Sequence, residues 1–206
     1  MLKIKASNEF FASSSSVYGN LAPSHFHENH TNLQPISPYA ATKLARENVG
    51  HVYSQLHDLT FIALRFFTVY GPRQRPDLAI HQFVRQIRNG EAILVHGDGS
   101  SSRDHTFIDD TVDGIMRPLD YSPECRFDII NAGNDRTIKL SDMIETIEQT
   151  LGCRARIERM PDQPGDVRMT CANIDKARTL LGYSPQTPFD LGVRPFVNWY
   201  DEHNIR

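Results

Sequence analysis

Tyr39 and Lys43 are the two residues in this chain whose types and spacing suit proton transfer. Four apart on a helix, they would stand on one face, one above the other. A phenol titrates near ~10 and is a poor base at neutral pH. An ammonium one turn away favours the phenolate and draws the phenol toward a working range. Many helices carry the same pattern by chance, as a half-buried tyrosine beside a solvated lysine. The surrounding segments distinguish the two readings.

Ser37-Pro38 supplies a cap and a first-turn proline, so a helix is expected over 39–57. Upstream, Phe10-Phe11-Ala12 runs into Ser13-Ser14-Ser15-Ser16 and then Val17-Tyr18-Gly19. An apolar run ending in small hydroxyl residues suits a buried parallel strand whose carboxyl end opens into a cleft, where open α/β sheets bind ligands. A serine-rich linker is the alternative, but it would not be bracketed by Phe-Phe and Val-Tyr-Gly. Downstream, Phe61 to Phe67 reads as a second buried strand ended by Thr68-Val69-Tyr70-Gly71-Pro72. Strand, helix and strand make a βαβ unit with parallel strands. Beyond Pro72 come a charged loop, Arg73 to Asp77, and a helical stripe of Ile80, Phe83, Val84 and Ile87 closed by Gly90. Ile93 to Val95 reads as a short strand, and Arg103 to Asp110 leads into a helix reaching about Leu119. Strands at 127–130 and around Ile157 and helices over 140–151, 174–181 and 189–200 complete an α/β pattern.

The bulk properties narrow the function classes. Of 206 residues, 39% are hydrophobic and 23% charged, as in an ordinary globular protein. With 22 basic and 25 acidic residues the net charge is −3, so no basic field points to nucleic acid or a membrane surface. No apolar run approaches the ~20 residues of a spanning helix. Cys125, Cys153 and Cys171 form no Cys-x-x-Cys pair, which argues against a disulfide framework or zinc site. Residues 1–5 carry no secretory pattern, so a cytoplasmic location is expected. His25, His27 and His30 lie in a polar loop without ligand spacing and read as solvated rather than metal-binding.

With Ser14, Tyr39 and Lys43 in view, the chain resembles the extended short-chain dehydrogenase/reductases, the NAD-dependent nucleotide-sugar epimerases and dehydratases. The resemblance rests on Ser13 to Gly19, Pro38 to Lys43, Leu64 to Pro72, Arg103 to Asp110 and Pro164-Gly165-Asp166-Val167, in that order. Phe66-Phe67-Thr68-Val69-Tyr70-Gly71-Pro72, Arg75-Pro76-Asp77 and Gln163 to Val167 look most like the UDP-glucuronate 4-epimerase group.

The resemblance implies NAD as cofactor, a UDP-sugar as substrate and a Rossmann-like doubly wound sheet with a smaller substrate lobe. Residues 1–72 would form the partial Rossmann part and 73–206 mainly the lobe, with 104–135 returning to the sheet. Tyr39 would be the catalytic acid/base, Lys43 its partner on the nicotinamide ribose, and Ser14 the hydroxyl on the reacting sugar oxygen. Phe67 and Val69 would lie beside the nicotinamide. Ser15, Ser16 and Thr68 would contact the sugar, and Arg75 could pair with a glucuronate carboxylate bidentately. Arg103 would hold the diphosphate, with a surface ion pair to Asp109 or Asp110 as the plainer alternative. Ile93 and Val95 would flank the uracil, and Gln163 stands where galactose-type enzymes tend to carry arginine. A dehydratase or decarboxylase is the competing enzyme reading, although Ser15 and Ser16 occupy the place of a dehydratase Asp-Glu pair. A non-catalytic UDP-sugar-binding or partner-binding module is the alternative from another class. The family's Gly-x-x-Gly-x-x-Gly turn, which cradles the pyrophosphate, is nowhere in the sequence. The expectation is therefore a fragment of a longer enzyme, the product of a truncated reading frame, or a chain whose sheet is completed by a partner; the resemblance also implies a homodimer.

Overall fold

A computed structural model describes residues 8–20, 25–121, 126–162 and 169–203. Its first unit is the expected strand–helix–strand. β1 (Asn8–Ser14) pairs in parallel with β2 (Thr60–Phe66), in a register that sets Ala12 beside Leu64 and Ser14 beside Phe66. Between them runs α1 (Pro38–His57), with Pro38 in the first turn and the Ser37 hydroxyl accepting from the Ala40 amide at 3.1 Å. That is the capping arrangement Ser-Pro encodes. Gly50 allows α1 to lie directly on the sheet, because a Cβ there would come within 2.3 Å of the Phe61 ring.

Beyond β2 the chain changes sheets. β3 (Thr68–Tyr70) leaves β2 after one residue and pairs in parallel with β5 (Ser102–Phe107). β5 also pairs with β7 (Thr137–Lys139), antiparallel, and with β9 (Met169–Thr170), parallel. A two-stranded sheet joins β4 (Ala92–His96) to β8 (Arg156–Met160). β6 (Phe127–Ala132) returns to pair with β2, giving the order β1-β2-β6. The remaining helices are α2 (Ala79–Arg88), α3 (Ile108–Met116), α4 (Leu140–Leu151), α5 (Asp175–Leu181) and α6 (Phe189–Glu202). None of the described helices is long and apolar enough to cross a membrane.

Two apolar clusters hold these layers. One gathers Ile62, Leu64, Phe67 and Ile130 from the three-stranded sheet region with Val17, Tyr18, Phe26, Ile174, Ala177 and Tyr183. The other packs α2, α4 and α6 around Tyr70, Ile93, Val95 and Phe107. β3 and β5 run between them, so the polypeptide that joins the two cores also carries Thr68 and Arg103.

Candidate active site

α1 presents Tyr39, Lys43 and Glu47 at steps of four. Tyr39 is 56% exposed, so its phenol faces outward. The Lys43 ammonium lies 5.5 Å from the Tyr39 ring centre and donates to the Ala12 carbonyl at 2.6 Å. That hydrogen bond ties the first turns of α1 to the carboxyl end of β1, two residues before Ser14. It brings the base candidate and the serine run to the same end of the sheet.

The serine run is built as a turn. Ser14 caps a short 3-10 helix over Ser15–Tyr18, its hydroxyl accepting from the Ser16 amide at 3.2 Å and the Ser16 hydroxyl at 2.9 Å. Ser14, Ser15 and Ser16 are all half-buried. Ser13 faces the other way, buried, and donates to the Glu47 carboxylate.

Beneath the serines lies a buried charged network. Arg65 on β2 grips both oxygens of Glu47, through Nε at 2.9 Å and Nη2 at 2.7 Å, with both side chains 2% exposed. The guanidinium also stacks over the Tyr18 ring at 4.7 Å. Burial pulls the Arg65 pKa down, but the hydrogen bonds and charge of Glu47 together with Tyr18 more than offset this, so it stays above its ordinary value. Tyr18 donates to the Asn131 side chain at 2.8 Å, and burial, opposed by the nearby Arg65, holds its phenol up at about 12. Asn131 in turn donates to the Phe26 and Asn173 carbonyls at 2.8 and 3.1 Å. None of Ser13, Glu47 or Asn131 stands out in the sequence. The one available signal is Glu47 itself, a carboxylate on the helix face that also carries Tyr39 and Lys43.

β3 and β5 supply the remaining candidates. Thr68 is half-buried beside His105, and Val69 beside Thr106. Arg103 is half-buried on β5 and donates to the Ser102 carbonyl at 3.0 Å. Asp110, one of the two carboxylates considered as its ion-pair partner, accepts from the Gln186 and Thr187 amides at 3.0 Å each. Next to Arg103, Asp104 is fully buried. It accepts from the amides of Asn134 (2.9 Å), Asp135 (3.2 Å) and Ala172 (3.0 Å) and from the Thr106 hydroxyl (3.2 Å). One carboxylate thus pins β5, the turn after β6 and the segment after β9 together. Gly133 is required in that turn, since a Cβ would come within 2.5 Å of Ala172 and 2.8 Å of the Asp104 carboxylate. Burial raises Asp104 to about 6 against its four donors. Burial, then the Arg103 charge, lowers His105 to about 4.

Arg75 lies on an exposed loop, its guanidinium donating to Asp77 at 3.1 Å with the two side chains 73% and 63% exposed. The loop is anchored from within, where Gln74 donates to the Val69 carbonyl at 3.0 Å and the His81 ring meets the Gln74 carbonyl at 2.8 Å.

Three assignments are corrected. Ile93 and Val95 are 0% and 2% exposed and belong to the α2–α4–α6 core, so their side chains do not flank a ligand. Strand alternation turns Leu94 and His96 outward instead. Phe67 is 4% exposed, its ring packed beside Phe26 at 6.3 Å, and it offers no face to a cofactor. Gln163 and the Pro164 to Val167 motif lie outside the described residues. In the loop before α1, His27 and His30 pack edge to face at 5.7 Å, and His30 lies edge-on to Tyr18 at 6.1 Å.

A family model described as GDP-mannose 4,6 dehydratase matches residues 2–196. The chain belongs to this family of nucleotide-sugar epimerases and dehydratases. Among family members, a UDP-glucuronate 4-epimerase of Thermodesulfobacterium geofontis is 38% identical over 93% of this chain and 58% of its own length. An uncharacterised protein of Methanocaldococcus jannaschii is 42% identical over 94% of this chain and 59% of its own. The solved UDP-glucuronic acid 4-epimerase of Bacillus cereus, in complex with UDP-glucuronic acid and NAD, superposes with a TM-score of 0.91 at 34% identity. The match covers 98% of this chain and 63% of that one. The α/β architecture with parallel sheets is thus that of the Rossmann-like epimerases, and the chain spans about three fifths of the length of the relatives it matches.

Proposed function

We propose that this chain carries the acid/base and sugar-binding part of an NAD-dependent UDP-sugar 4-epimerase of the UDP-glucuronate type. The observation that carries the reading is the Lys43 ammonium, held at 2.6 Å by the Ala12 carbonyl and 5.5 Å from the Tyr39 ring centre, beside the Ser14 turn. Within this reading, residues 1–72 act as the Rossmann-type part and 73–206 mainly as the sugar lobe, with 104–135 returning to the sheet. The protein is cytoplasmic, in keeping with the unpaired thiols Cys153 and Cys171.

In the forward direction Tyr39, as phenolate, takes the proton from the C4 hydroxyl of the sugar, and Ser14 hydrogen-bonds the same oxygen. Lys43 sets a positive charge 5.5 Å from the centre of the Tyr39 ring. When bound, NAD would accept a hydride from C4 and return it to the opposite face. Tyr39 then gives its proton back to the C4 oxygen, which completes the inversion. Thr68, Ser15 and Ser16 orient the sugar, Arg103 holds the diphosphate through its planar fork, and Arg75 pairs with the carboxylate at C5.

The residues present fit the nicotinamide end of the cofactor. An ammonium has three donors, and Lys43 uses one on Ala12, which leaves others for a ribose hydroxyl. Val69, half-buried at a strand end, is the remaining candidate beside the ring. The pyrophosphate end finds no glycine-rich turn in this sequence. A homodimer partner would be received on α1, where Val49, Val52, Tyr53 and Leu56 are each at least 50% exposed.

The test is to incubate the chain with UDP-glucuronate and NAD and resolve the sugar nucleotides. Appearance of the C4 epimer supports the proposal. Calorimetric binding of UDP without NAD binding or product would favour a sugar-nucleotide-binding module instead.

A further inference from the structure

Glu47 is the next residue after Lys43 on the face of α1 that carries Tyr39. A carboxylate four residues from a lysine on a helix is its ordinary partner. Such a pair would offset the positive charge that Tyr39 feels and weaken the preference for phenolate. Among the described residues that pair is not made. Glu47 is turned inward, with both oxygens engaged by Arg65 at 2.9 and 2.7 Å and one also accepting from Ser13. Lys43 is left with the Ala12 carbonyl and the Phe11 and Tyr39 rings, 5.1 and 5.5 Å from its ammonium.

We propose that Arg65 is a positioning residue for the acid/base pair: by holding both oxygens of Glu47 it keeps that carboxylate from Lys43 and leaves the ammonium to Tyr39. Arginine is suited to this because its fork occupies two oxygens at once, whereas an ammonium would leave one for Lys43. Stability alone does not call for the pair, since buried ion pairs are commonly replaceable by apolar residues of similar volume.

The other charged or titratable groups around this face do not take over the role. On α1, Arg46 lies 4.9 Å from the Phe11 ring centre, and Lys43 lies 5.1 Å from the same ring. β1 contributes Glu9, in register with Phe61 and several residues short of Ala12. Tyr18, in the 3-10 turn, is committed to Asn131. β6 contributes Asp128, which is paired with Lys176. Glu47 is the carboxylate one turn from Lys43.

The inference rests on the acid/base reading of Tyr39 and Lys43, but its test needs neither sugar, cofactor nor turnover. A chain that epimerises nothing still answers it. The phenolate absorbance of the full chain is followed against pH, and the curve of Tyr39→Phe is subtracted to isolate Tyr39. In Arg65→Met the freed Glu47 should capture Lys43 and move the Tyr39 midpoint up by a few tenths of a pH unit at ~0.2–0.5 kcal/mol for the pair. Arg65→Met with Glu47→Met removes the captor as well and should restore the parent midpoint. Where Arg65→Met does not fold, Arg65→Lys keeps the buried charge but leaves one Glu47 oxygen unheld, and a smaller upward move is expected. A midpoint in the folded single variant that coincides with the parent overturns the proposal. So does a double variant that remains displaced, because the effect would then come from lost packing rather than from Glu47.

Discussion

Two arginine–carboxylate pairs stand near the candidate site, and they are built in opposite ways. Arg65 and Glu47 are 2% exposed, doubly hydrogen-bonded and wedged between α1 and β2. Arg75 and Asp77 meet through one contact at 3.1 Å on an open loop, 73% and 63% exposed. A buried pair fixes geometry at a large desolvation cost, whereas an exposed pair is exchanged for water or a ligand at almost none. The groups proposed to move the proton are therefore backed by a fixed frame, and the group proposed to recognise the carboxylate is left available. Chemistry requires fixed distances, and recognition of different sugars tolerates adjustment.

The contrast can be broken at several points. Glu47→Ala leaves a buried guanidinium without its partner and should cost about 3–5 kcal/mol in chemical denaturation. Tyr39→Phe in an enzyme that turns over should lose about 10²-fold or more in kcat with little change in sugar-nucleotide binding. Near-full activity in that variant would remove the acid/base assignment.

Asp104→Asn tests the carboxylate that joins β5 to the turn after β6. Asparagine can accept through one oxygen only, so a loss of about 2 kcal/mol is expected at pH 7. Its pH dependence is more telling. Asp104, raised to about 6, favours the folded state most at low pH, and that contribution is lost as pH rises through about 6. His105, lowered to about 4, favours the fold at high pH, and that contribution is lost as pH falls through about 4. The two oppose each other across this window, each by about 3 kcal/mol. Without Asp104, stability should fall more steeply on acidification from pH 6.5 to 4 than in the parent. Parallel thermal-melt profiles would contradict the account.

Smaller effects belong to the exposed pair. Arg75→Ala should weaken UDP-glucuronate about 10-fold, the value of one charged hydrogen bond, and UDP-glucose hardly at all. Equal losses for the two sugars, measured by calorimetry, would remove the carboxylate argument. Asp77→Ala should leave stability within about 0.5 kcal/mol.

Much of the architecture was legible from pattern. The Ser37 cap, the Pro38 start, α1, α2 and α4 follow from periodicity and terminators, and their bounds agree with the sequence reading within a residue or two. β5 was not legible. Its buried side chains are Ser102, Asp104, His105 and Thr106 along with Phe107, so the burial that makes it a central strand carries little apolar signal. The short strands β7 and β9 were missed for a related reason, being defined by their pairing to β5 rather than by composition. At β4 the apolar run marks the strand but not which of its side chains turn inward. The resemblance implies Ile93 and Val95 beside the uracil, whereas both side chains pack into the core. Glu47 and Arg65, 18 positions apart, could not be paired without the parallel register that stacks α1 on β2.

The most direct measurement uses UDP-glucuronate carrying deuterium at C4, incubated with the chain and NAD, with the product read by NMR. The account predicts a C4-inverted sugar that keeps its deuterium, because the same hydride leaves and returns. Product that has exchanged the label with solvent, or no inverted product at all, would contradict it.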